Sequence, residues 1–134
     1  MPSTETTVRA RDAQLCAEAF GSPADPAVLL LQGGAAAMDF WEREFCARLV
    51  EAGRFVIRYD NRDTGRSTSY PPGEPGYTGT DLTDDALAVL DAFDVGAAHL
   101  VGLSMGAGIA QDIALDHPER VRSLTIIAST AVGA

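Results

Sequence analysis

Two periodicities alternate along this chain, and the points where one gives way to the other mark its elements. Residues 7–10 and 15–20 predict an antiparallel pair that turns at Arg11-Asp12, before Gly21-Ser22-Pro23-Ala24-Asp25-Pro26 breaks the pattern. Residues 27–31, Ala-Val-Leu-Leu-Leu, form a short uninterrupted apolar run, the mark of a strand buried on both faces. The spacing then changes. Met38, Trp41, Phe45 and Leu49 recur at three and four residues, so an amphipathic helix is expected over residues 39–52, with Asp39 near its start, Gly53 as its stop, and the Trp and Phe in the core. Residues 55–59 predict another strand. The polar stretch 68–79, with three prolines and three glycines, reads as a surface loop. Thr80 or Asp81 is placed to cap a helix that buries Leu82, Ala86, Val89, Leu90 and Phe93. A strand ending at Leu103, a helical pattern over residues 107–115 closed by His117-Pro118, and a final Leu- and Ile-rich strand at 121–128 complete the series. The order is two strands followed by β-α-β-α-β-α-β, with crossovers long enough for parallel pairing and helices on both faces of the sheet.

Composition narrows the function. The net charge is −9, from 19 acidic residues against ten arginines and no lysine, which disfavours nucleic-acid binding and removes every lysine-based covalent mechanism. No apolar run approaches the roughly 20 residues needed to span a bilayer, and the opening MPSTETTVRARDA lacks a signal-peptide pattern, so a cytoplasmic location is expected. Cys16 and Cys46 lie in apolar patterns without metal-ligand or CxxC spacing and read as reduced core residues. The acids are scattered, and neither a metal site nor a cofactor is expected.

The chemistry concentrates at Gly102-Leu103-Ser104-Met105-Gly106, where the buried strand passes without a spacer into a helix. A Gly-x-Ser-x-Gly at such a junction reads as a nucleophile elbow, with the serine strained and its hydroxyl thrust out above the sheet. Gly102 and Gly106 then support the turn by letting strand and helix approach. The N–H of Met105 and the positive end of the helix dipole point toward an oxyanion formed at Ser104.

Three motifs in this order and spacing resemble the N-terminal half of the α/β-hydrolase superfamily, over about residues 13–129. They are Gln32-Gly33-Gly34 after one strand, Tyr59-Asp60-Asn61-Arg62-Asp63-Thr64-Gly65-Arg66-Ser67 after the next, and the Gly102–Gly106 turn. Within the superfamily, VIRYDNRDTGRST and VGLSMGAGIAQDIALDHPERVRSLT look like the aclacinomycin methylesterase type of ester hydrolase. The resemblance implies that Ser104 is the nucleophile, that the Met105 and Gly34 N–H groups form the oxyanion hole, and that a small-molecule ester, such as a methyl ester of a polyketide-type aromatic compound, is the substrate. Gln32 stands where such hydrolases usually have a histidine. Asp60, Arg62 and Gly65 match a motif expected to support loops by an ion pair or a turn. Dehalogenase and epoxide-hydrolase mechanisms are disfavoured, because they use an aspartate where this chain has Ser104.

A serine at neutral pH needs a base and an orienting acid. His99 lies about 16 Å back along its strand at 3.3 Å per residue, and His117 about 20 Å along a helix at 1.5 Å per residue. Neither reaches Ser104, and both are expected to be structural. In α/β-hydrolases the acid and histidine come from later strands. The chain is therefore expected to be one partial α/β-hydrolase domain over residues 1–134, inactive alone, whose C-terminal remainder or a complementary chain supplies the base, the acid and any lid. The competing expectation is a non-catalytic scaffold or interaction fragment that keeps the turn and lacks a triad.

Overall fold

The computed structural model describes residues 1–132. Its element order is β1 (Ser3–Arg9), β2 (Gln14–Phe20), β3 (Ala27–Leu31), α1 (Arg43–Glu51), β4 (Phe55–Tyr59), α2 (Gly79–Ala92), β5 (Ala98–Leu103), α3 (Met105–Asp116) and β6 (Val121–Ile127). The six strands form one sheet in the order β1-β2-β4-β3-β5-β6. β1–β2 and β2–β4 are antiparallel, whereas β4–β3, β3–β5 and β5–β6 are parallel. This is the mostly parallel α/β arrangement expected from the element order.

The sheet buries both faces at its centre. Leu29, Leu31, Ile57, Tyr59 and Leu100 point to a core that includes Leu82, Ala86, Leu90, Ile109 and Ile113 of α2 and α3. Val28, Leu30 and Val56 point the other way, against Phe20 of β2, Trp41 just before α1, and Cys46 within α1. Strands covered on both sides cannot alternate apolar with polar residues, which is why β3 is an unbroken apolar run.

Five expectations need correction. The helix expected over residues 39–52 is two pieces, a 3-10 turn at Met38–Phe40 and α1 from Arg43, separated at Trp41-Glu42. The break seats Trp41 in the core but leaves Phe45 half-exposed, stacked on the Trp41 ring. Second, the cap of α2 is Thr78, two residues before Thr80 and three before Asp81: its Oγ1 accepts from the Asp81 N–H while the Asp81 carboxylate accepts from the Thr78 N–H. Third, Cys16 is only partly buried, although Cys46 is fully so, and burial raises both thiols above their ordinary pKa. β1 also starts four residues earlier than expected, at Ser3, and α3 two residues earlier, at Met105.

Candidate active site

The C-terminal ends of β3, β4 and β5 bring the candidate residues together. Ser104 follows β5 directly and holds φ +54°, ψ −114°, a left-handed conformation that side chains other than glycine's rarely adopt. Backbone bonds keep it there. Its carbonyl accepts from Ala107 N–H (2.9 Å) and Gly108 N–H (3.3 Å), which starts α3, and its own N–H donates to the Ile127 carbonyl at the end of β6 (3.0 Å). The residue is exposed. Met105, as the first residue of α3, has its N–H outside the helical ladder and at the positive end of the helix dipole.

The two flanking glycines sit where no side chain fits. A Cβ on Gly102 would lie 2.5 Å from the Gly106 carbonyl oxygen and 2.6 Å from Ala107 Cα; one on Gly106 would lie 2.5 Å from the Leu31 carbonyl carbon and 2.7 Å from the Gln32 oxygen. The start of α3 is thereby pressed onto the end of β3. The same closeness brings Gly33 and Gly34 over the turn: a Cβ on Gly33 would lie 3.7 Å from Ser104 Cβ, and one on Gly34 would lie 3.7 Å from Met105 Sδ.

Charged pairs hold the surrounding loops. The Asp60 carboxylate accepts from the Met38 N–H (2.8 Å) and the Arg66 N–H (3.0 Å), so it ties the segment after β3 to the segment after β4. Gly65, at φ +49°, makes the turn, and a Cβ there would strike the same carboxylate. The buried Arg62 guanidinium grips Asp85 of α2 through two hydrogen bonds (2.7 and 2.9 Å) and also meets Asp12 and Tyr70. These hydrogen bonds, that with Asp85 foremost, hold its pKa above the ordinary value. The structural roles expected of Asp60, Arg62 and Gly65 are what the structure shows. Asp85 was not singled out from the sequence, because nothing in a helical acid identifies a partner 23 residues away.

Neither histidine approaches Ser104. His99 Nδ1 is hydrogen-bonded to Ser123 Oγ (2.6 Å) near the start of β5, and His117 caps the far end of α3 with Glu119 3.7 Å away. Among the described residues no three His, Cys, Asp or Glu side chains converge as a metal-binding group. Among the described residues no helix is long and apolar enough to cross a membrane.

A serine at a strained strand-to-helix turn, on a mostly parallel sheet with helices on both faces, defines a class. Residues 26–133 match the family model described as alpha/beta hydrolase fold, and the chain belongs to that family. It is 50% identical over 118 residues to rhodomycin D methylesterase of Streptomyces sp. strain C5, covering 88% of this chain and 40% of that protein. A putative carbamate hydrolase of Variovorax paradoxus is 42% identical over 106 residues, 78% of this chain and 39% of its own length. Among solved structures, a hydrolase from Pseudomonas aeruginosa superposes with a TM-score of 0.84 at 31% identity, covering 94% of this chain and 46% of that one. The chain thus spans about 40% of the length of the curated relatives it matches.

Proposed function

We propose that this chain carries the nucleophile and oxyanion hole of a serine hydrolase that cleaves carboxylic esters through an acyl-enzyme. The observation that carries the reading is the backbone of Ser104, held at φ +54° with its side chain exposed at the start of α3. Strain of this kind costs on the order of 1–3 kcal/mol and persists only where the surroundings enforce it. The Ser104 hydroxyl attacks the ester carbonyl carbon. The resulting oxyanion lies between the N–H of Met105 and that of Gly34, whose loop covers the turn. Collapse expels the alcohol with a proton from the general acid, and water then releases the carboxylic acid and restores the serine. The histidine and acid of this cycle come from outside these 134 residues, in a C-terminal remainder or a complementary chain; the distant seats of His99 and His117 support this. Similarity to the rhodomycin D methylesterases favours methyl esters of polyketide-type aromatic compounds as substrates. Serine in place of a carboxylate at the turn favours ester over epoxide chemistry. We place the enzyme in the cytoplasm, where its unpaired Cys16 and Cys46 stay reduced.

Labelling with a fluorophosphonate tests the reading, with imidazole added to supply the missing base. Wild type is expected to label at Ser104, slowly in buffer and faster with imidazole, and Ser104→Ala not at all. Equal labelling of the two proteins removes Ser104 as nucleophile. A folded wild type that imidazole leaves unlabelled favours the second reading, a non-catalytic scaffold, to which the absence of a histidine near Ser104 among the described residues also points.

A further inference from the structure

The turn that brings Gly34 over Met105 is held by a side chain that takes no part in the reaction. Gln32, the residue after β3, is 0% exposed. Its Nε2 donates to the Tyr59 carbonyl at the end of β4 (2.9 Å) and, at greater length, to the Ala36 carbonyl (3.4 Å). Its Oε1 accepts from the Trp41 indole N–H (3.1 Å). Both donors and one acceptor position of the amide are therefore engaged, joining the neighbouring strand, the far side of the turn and the 3-10 segment before α1.

What the amide holds is a turn under strain. Ala36 N–H closes it on the Gly33 carbonyl (3.4 Å), and Ala35 sits at φ +62°, where an alanine is disfavoured. Relaxing Ala35 requires its flanking peptides to rotate, and two glycines at 33 and 34 offer little resistance to that rotation. The Gln32 amide opposes it by gripping the carbonyl of the next residue, Ala36. The backbone of Gln32 is fixed independently, because its carbonyl oxygen lies against the start of α3, 2.7 Å from where a Gly106 side chain would begin. One residue thus references the Gly33–Ala36 turn to the helix that carries Met105.

We propose that Gln32 is the positioning residue of the oxyanion hole, fixing the Gly34 N–H relative to the Met105 N–H by holding Ala36 and Trp41. This rests on the reading of Ser104 and Gly34 given above. A residue that only fills the core affects stability and leaves the chemistry of Ser104 unchanged. A positioning residue changes the rate at saturation and leaves substrate affinity alone.

The test measures acylation of Ser104 by a p-nitrophenyl ester with imidazole present, at saturating and sub-saturating ester. Gln32→Met keeps the volume and removes the three hydrogen bonds, Gln32→His returns a ring donor and acceptor, and Trp41→Phe removes the indole bond alone. Since misplacing one oxyanion donor costs on the order of 10- to 100-fold, Gln32→Met is expected to lose about that much at saturation with half-saturation unchanged. Gln32→His regains part of the loss. Trp41 is the one tryptophan, so its indole N–H resonance reports the clamp separately: exchange protection present in wild type is lost in Gln32→Met. Acylation of Gln32→Met within about threefold of wild type, with that protection gone, overturns the proposal, since a lost donor costs far more. If Gln32→Met does not fold, an unchanged rate in a folded Trp41→Phe overturns it instead. A wild type that is not acylated at Ser104 rejects the nucleophile itself, which is a different result.

Discussion

Ser104 concentrates the conflict between stability and chemistry in one pair of dihedral angles. Its left-handed backbone is disfavoured for serine, yet three backbone hydrogen bonds converge on it and hold it. Ser104→Gly removes the steric penalty without touching those bonds. It is expected to raise stability by about 1 kcal/mol in urea titration, whereas Ser104→Ala, which keeps the Cβ, does not. A Gly variant no more stable than the Ala variant would mean that the turn carries no strain. The serine and its two glycines were legible in the sequence because their spacing falls where an apolar strand passes directly into a helical pattern. The contribution of Gln32 was not, because a glutamine in the place of a histidine says nothing of an indole nine residues later.

Among elements, the antiparallel edge is fastened by a carboxylate rather than by apolar packing alone. Glu18 of β2 accepts from Ser3 of β1 (2.6 Å), Arg43 of α1 (3.2 Å) and Arg58 of β4 (2.6 and 3.1 Å), and Arg58 in turn reaches the Trp41 carbonyl (2.6 Å). Burial pushes the Glu18 carboxyl up, but the hydrogen bonds from Ser3 and Arg58 and the charges of Arg58 and Arg43 outweigh it and hold the pKa below the ordinary value. The native state therefore binds this proton less readily than the unfolded chain. Its stabilisation is present above the ordinary carboxylate range and is lost as pH falls through and below that range. Urea midpoints measured between about pH 6 and 3 are expected to fall with acid, and Glu18→Gln to start lower and fall less. A parallel slope in the variant would assign acid sensitivity to other carboxylates. The first four residues of β1, Ser-Thr-Glu-Thr, are polar and carry no signal of a strand, whereas the strands from β2 onward were readable from their apolar runs. The break at Trp41-Glu42 was not, because Met38, Trp41, Phe45 and Leu49 keep helical spacing through it, and the Arg58 side chain that meets the Trp41 carbonyl comes from a strand 17 residues on.

At the scale of the whole molecule, the two edges of the sheet differ in character: β1 is polar, Ser-Thr-Glu-Thr-Thr-Val-Arg, whereas β6 is apolar. β6 pairs only with β5 among the described residues, and Leu124, Ile126 and Ile127 are 39%, 37% and 39% exposed. An apolar strand with an unpaired edge invites a further strand. In isolation the chain is expected to self-associate as concentration rises, and Ile126→Lys to suppress this in sedimentation velocity. Undiminished association in that variant would locate the sticky surface elsewhere. The parallel order and helix coverage followed from the element series. The apolar character of β6 was also readable, from the Leu and Ile residues of 121–128.

The hydrogen bond from the Ser104 N–H to the Ile127 carbonyl joins these scales. It crosses from the Ser104 turn to the last residue of β6, so the seat of the serine and that of the edge strand share one bond. On the reading of Ser104 proposed above, the reactivity of its hydroxyl is expected to track how firmly the margin of the sheet is held.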